Sequence, residues 1–196
     1  MDTKMTPVET KGTLKIWKQP QIGRRYVIVV DPTEGGDPYC IAVGDAQSKE
    51  VVALAHGNAV VVEDFAKICL DLYERYGKPL MCVERNRGQS LIDKLVDAGV
   101  KNWFSDKEGK YGIYTSSGNR RNILEDYRSA VYLKALRCYD KEAWSEHHFF
   151  MEVKGEEPHP PKNKHDDYVM AFAILWHIMN KMPSDIIKAF SFKYES

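Results

Sequence analysis

The sequence predicts an α/β fold, a mixed β-sheet flanked by α-helices, on three observations. Three strand-like runs, 26–31, 39–45 and 51–57, follow one another through short turn-rich connections. The apolar period then changes to helical, and helices alternate with further strands. The last long segment, 165–181, is apolar on nearly every face and reads as a buried core helix.

Residues 1–22 read as a flexible lead-in, with LKIWKQPQIGRR a connector that docks Trp17 onto the body. The three runs form an antiparallel meander, because PTEGGDP and AQSKE are too short for parallel crossovers. In VVEDFAKICLDLYERYG, the residues Val62, Phe65, Ala66, Ile68, Cys69, Leu72 and Tyr73 recur at helical spacing, and Gly77 is the stop. PLMCVE is a fourth strand ending on Glu84, and GQSLIDKLVDAG a second helix. A short strand is expected near Gly112–Thr115, then a long amphipathic helix over Asn119–Ala135 with Ile123, Leu124, Tyr127, Ala130, Val131 and Lys134 at core spacing. LRCYD reads as a short strand, KEAWSEHH as a short helix, HFFMEVKG as a last edge strand, and GEEPHPPKNK as a loop. The domain is drawn over 23–182, with a peripheral tail at 183–196.

The 196 residues suit one domain with a sizeable core. Lys plus Arg and Asp plus Glu number 28 each, so no whole-molecule charge argues for nucleic acid. The cysteines Cys40, Cys69, Cys82 and Cys138 have no CxxC spacing and apolar neighbours, which suits free buried thiols in a reducing cytosol. The N-terminal segment is polar, without an apolar signal region. The longest apolar stretch, Tyr168–Met179, is shorter than the about 20 residues a bilayer requires, so no membrane partner is expected.

The chemistry lies in acids at element ends. Asp31 ends the first strand of the meander, Glu84 ends the fourth strand, and Asp166–Asp167 open the last helix. Alone, Asp31 is a turn-initiating Asp before Pro32, Glu84 a strand-end acid beside Arg85 and Arg87, and one of the aspartates a helix cap. Together they point to one site. If the first and fourth strands are parallel neighbours, both acids emerge at one end of the sheet, where sites of open α/β sheets sit. Crowded carboxylates need a compensating cation. Oxygen ligands select Mg²⁺ or Mn²⁺. Two such ions about 4 Å apart activate a water and stabilise the leaving oxygen in phosphodiester hydrolysis.

VVDPTEGGD, CVERNRGQS and KHDDYVMAFAI together resemble the three acidic motifs of the nuclease domain of tailed-phage terminase large subunits. The resemblance spans LKIWKQP to the final helix, and the HDD-plus-apolar-helix ending is its most specific element. It implies an RNase H-like fold of the resolvase–integrase superfamily, and a metal-dependent endonuclease that cuts concatemeric double-stranded DNA during genome packaging. By the same resemblance Asp31, Glu84 and Asp166 fall on the main metal-binding positions, with Asp167 and Asp37 as further ligands and two Mg²⁺ or Mn²⁺ ions. His165 is read as a neighbour or helix-start residue. The implied partners are DNA, a packaging ATPase domain, the small terminase subunit and the portal, in the host-cell cytoplasm. No GxxxxGK[ST] phosphate loop occurs, so the chain is expected to represent the nuclease part alone.

Expected phosphate contacts are Arg85, Arg87, Arg120, Arg121, Lys162 and Lys164, giving salt-sensitive, sequence-independent binding. Trp103, Trp144 and Trp176 are read as packing residues. A resolvase-like or RNase H-like nuclease of the same fold and a non-catalytic docking module are the alternatives. All the acidic positions are filled, which argues against the module.

Overall fold

The computed structural model describes residues 5–32, 38–58, 61–151 and 166–182. Among these, six strands form one sheet in the order β1-β2-β5-β4-β3-β6. β3 (Tyr26–Asp31), β4 (Pro38–Asp45) and β5 (Glu50–Asn58) are the expected antiparallel meander. α1 (Val62–Arg75) carries the chain back across the sheet to β6 (Leu80–Val83). β6 runs parallel to β3, with Val30 opposite Val83. β3 is buried along its whole length, as a central strand covered on both faces must be.

Alternation along the strands divides the core in two. On one face Ile28, Val30, Ile41 and Val83 pack against α1 and α2 (Arg85–Asp97). On the other, Val27, Val29, Cys40 and Cys82 pack against α3 (Ser117–Tyr132), α4 (Lys141–Met151) and α5 (Asp167–Lys181). α5 lies directly on β3 and β4. Ten of its fifteen residues are buried, which accounts for its nearly all-round apolar sequence. All four cysteines are free and buried. No helix among the described residues is long and apolar enough to cross a membrane.

The structure differs from the sequence expectations at four places. Residues 9–16 are not a lead-in: β1 (Glu9–Lys11) and β2 (Leu14–Ile16) form a hairpin that extends the sheet beyond β5, with Leu14 opposite Ala55. Strands of three residues are too short to show a period. Trp17 is nonetheless buried, as expected. Residues 148–151 are helical rather than an edge strand. Asp140 Oδ1 accepts the backbone N–H groups of Glu142 and Ala143 at 2.9 and 3.1 Å, and the helix it starts runs on through the aromatic run to Met151. The segments at Gly112–Thr115 and 136–140 make isolated bridges, Ile113 to Glu84 and Arg137 to Glu50, rather than strands. α2 begins at Arg85, three residues before the expected start. The remainder of HFFMEVKG, the proline loop and the tail at 183–196 lie outside the described residues.

Two glycines crowd the end of β6. A Cβ on Gly88 would lie 2.4 Å from Val83 Cγ1 and 3.1 Å from Pro32 Cγ. At Gly112, where φ is +80°, it would lie 2.4 Å from the Val83 carbonyl oxygen. Both pack against the residue before Glu84. Gly88→Ala is therefore expected to cost about 1–3 kcal/mol by overpacking. Chemical denaturation would detect this as a lower midpoint, and an unchanged midpoint would contradict it.

Candidate functional site

The site stands at the C-terminal ends of β3 and β6, on the sheet face that α5 covers. Asp31 pairs with Cys40, and Cys40 pairs with His56. On the other side the Glu84 N–H donates to the Val30 carbonyl at 2.8 Å. Paired residues share a face, so Glu84, Asp31, Cys40 and His56 form one row across the sheet. α5 brings its N-terminus to this row, adding Asp166 as its cap residue and Asp167 as its first helical residue. The positive end of the helix dipole favours acids there.

Asp31 is 8% exposed, and the charges of the other three acids reach it. Burial raises its carboxyl well above the ordinary range, and repulsion from Glu84, then from Asp167 and Asp166, adds to this. Burial also raises Asp166, against the opposing influence of Arg120. Burial pushes Glu146, on α4, up to about 8, with Asp167 and Asp166 adding to the rise and the Val169 N–H opposing it from 3.0 Å. The Cys40 thiol is raised well above its ordinary value by burial, so it is no thiolate ligand.

Glu84 and Asp166, two of the four acids, have internal partners. The Thr115 hydroxyl donates to Glu84 Oε1. Asn86 clamps Thr115 through two hydrogen bonds, Nδ2 to the Thr115 carbonyl at 2.6 Å and the Thr115 N–H to Oδ1 at 2.9 Å. Arg120 Nη2 lies 2.6 Å from Asp166 Oδ2. The Ser116–Asn119 capping box that starts α3 sets Arg120 at that position. Asp167 Oδ2 is buried without a hydrogen-bond partner among the described residues. Among the described residues no three His, Cys, Asp or Glu side chains stand together as a ready metal-binding group. The donor set, all carboxylate oxygens around a buried Asp31, suits a hard divalent cation that would offset their mutual repulsion.

The expected basic residues divide. Arg85 ion-pairs with Asp106 and donates to the Tyr111 carbonyl at 3.3 Å. Arg87 is exposed on the first turn of α2. Arg120 faces Asp166, and Arg121 pairs with Glu125 at 3.0 Å along the surface of α3. Asp37, Lys162, Lys164 and His165 lie outside the described residues. Trp144 packs in the core, with Nε1 donating to the Cys138 carbonyl at 2.8 Å, and Trp103 stacks on Tyr111.

Solved structures share this architecture. The large terminase nuclease from thermophilic phage G20c superposes with a TM-score of 0.73 at 18% identity, over 88% of this chain and 92% of that one. The fold is that of the large-terminase nuclease domain, an RNase H-like fold. The Thermus phage P74-26 large terminase nuclease domain matches with a TM-score of 0.71 at 18% identity, over 88% of each chain. The G20c nuclease has also been solved with bound magnesium, at TM-score 0.73, and with bound cobalt, at 0.72. No protein-family model matches the chain, and no curated protein matches it in sequence.

Thr115, Glu146 and His56 border the acids of this terminase-nuclease fold without having been singled out in the sequence. His56 alone had a usable signal. It sits late in the third strand of the meander, at the level of the acids once the register is known.

Proposed function

We propose that the chain is a divalent-metal-dependent endonuclease that cuts double-stranded DNA in viral genome packaging. The observation that carries this is the convergence of Asp31, Glu84, Asp166 and Asp167, from three separate elements, on one end of the sheet, where the charges of the other three reach the buried Asp31. Evolution of a fold does not crowd four acids for stability, because their repulsion and burial cost free energy. The likeness to terminase nucleases, one of them solved with bound magnesium and cobalt, supports the same assignment.

Asp31, Glu84 and the Asp166–Asp167 pair would hold Mg²⁺ or Mn²⁺, as one ion or two. A bound divalent ion supplies charge neutralisation, an activated water and stabilisation of the leaving oxygen. The chain's own residues supply the frame. β3 and β6 fix Asp31 and Glu84 rigidly, Thr115 orients one Glu84 oxygen, and Arg120 balances the charge of Asp166. Arg87, Lys162 and Lys164 are assigned to DNA phosphates, with weak binding that falls as salt rises. In a full motor the partners would be the packaging ATPase domain, the small subunit and the portal, in the host-cell cytoplasm.

Supercoiled plasmid incubated with the protein and Mn²⁺ is expected to be nicked and linearised, and EDTA to stop it. Cutting that survives EDTA, or no cutting of linear, supercoiled or branched DNA at millimolar Mn²⁺, would overturn the proposal.

A further inference from the structure

The row of acids is extended on its β4–β5 side by an imidazole. His56 Nε2 lies 3.9 Å from Asp167 Oδ2. Both atoms are buried, and neither has a hydrogen-bond partner among the described residues. A buried donor or acceptor left unpaired is costly, and two such atoms of complementary kind face each other here. The ring is held on two sides. The β5 backbone is fixed by its pairing with Cys40, and Tyr168, the residue after Asp167, stacks on the ring with centroids 3.9 Å apart and planes at 23°. The imidazole therefore has little freedom to turn away, whereas Asp167, on the first turn of α5, needs a side-chain shift of only about 1 Å to reach hydrogen-bond distance.

We infer that His56 is a positioning residue for Asp167: its Nε2–H donates to Oδ2 and so fixes the other carboxylate oxygen, Oδ1, for a cation. The inference rests on the proposed metal-dependent reading of the site. Partners that orient a metal-binding side chain typically change affinity by about 10–100-fold when removed. His56 thus does for Asp167 what Thr115 does for Glu84, and the two flank the row from opposite ends.

Two measurements separate this contact from the metal reading. The first is metal-free: the imidazole nitrogens of His56 are observed by NMR in the parent and in Asp167→Ala. The expected result is an Nε2–H tautomer in the parent whose signal shifts in the variant. An Nδ1–H tautomer, with Nε2 bare, overturns the contact. The second is calorimetric titration with Mn²⁺ of the parent, His56→Phe and His56→Gln. Phe keeps a flat ring against Tyr168 and is expected to weaken Mn²⁺ binding about 10-fold, whereas Gln, which keeps an N–H donor, recovers part of it. Equal affinity in parent and His56→Phe overturns the positioning role. A parent that binds no Mn²⁺ overturns the metal reading and this role with it, while the tautomer still reports the contact. Thermal melts identify any variant that loses affinity through misfolding, and His56→Gln then carries the test.

Discussion

Asp31→Asn should abolish cutting and at the same time make the metal-free protein more stable. The substitution keeps the shape of the side chain and removes one of four acids that repel each other across a buried site. Losing a central ligand should lower the cleavage rate on the order of 1,000-fold or more. Stability should rise by about 1–2 kcal/mol, or about 2–8 °C in melting temperature for a chain of this size. A gain of that sort, paired with loss of activity, is the signature of strain held for function. If Asp31 only starts a turn, the substitution should leave cutting intact. Asp166→Asn provides the contrast: burial raises the Asp166 carboxyl too, but the 2.6 Å ion pair with Arg120 offsets part of that, so the gain in stability should be smaller. Melts in EDTA and plasmid-cleavage rates in Mn²⁺, on both variants, check the pair. An Asp31→Asn protein that melts lower and still cuts would sink the assignment.

The parts of this site that were legible in the sequence are those whose position is written locally. A run of β-branched residues ending on Asp31, a second run ending on Glu84, and two aspartates ahead of an apolar helix each show their place without knowledge of the fold. The parallel pairing of β3 and β6 then follows from a short meander and one crossover helix. What stayed hidden depends on register and helix phase. Arg120 meets Asp166 across 46 residues because a capping box sets the start of α3. His56 reaches the row of acids only through the β4–β5 register, which carries a bulge between Val43 and Gly44. Glu146 meets the N-terminus of α5 through the phase and packing of α4, which no local pattern shows. The motif CVERNRGQS shows both kinds of information. Its Glu84 was readable as a site acid, whereas Arg85 bonding to Asp106, Asn86 clamping Thr115 and Gly88 fitting under Val83 are tertiary facts.

The stability of the metal-free protein should fall as pH rises through neutrality, and Mn²⁺ should reverse this. Asp31, Asp166 and Glu146 are all raised, first by burial and then by neighbouring acids, Asp167 among them in each case, and Glu146 reaches about 8. Each therefore keeps a proton in the folded state that the unfolded chain gives up near the ordinary carboxylate range. Between that range and about pH 8 for Glu146, the folded state binds more protons, so stability drops with increasing pH. A divalent cation needs Asp31 and Asp166 ionised and disfavours a charge-neutral site, so its binding releases protons and tightens as pH rises. At 100 times its dissociation constant the ion adds about 2.7 kcal/mol, or about 5–10 °C in melting temperature. The expected record is a melting temperature in EDTA that declines from pH 5 to pH 8, and a Mn²⁺-induced increase that grows over the same window. Glu146→Gln, which keeps an oxygen for the Val169 N–H, should flatten the upper part of the decline in EDTA. Stability that rises with pH in EDTA, or a Mn²⁺ effect of equal size at pH 5 and pH 8, would show that the four acids are not the groups the ion engages.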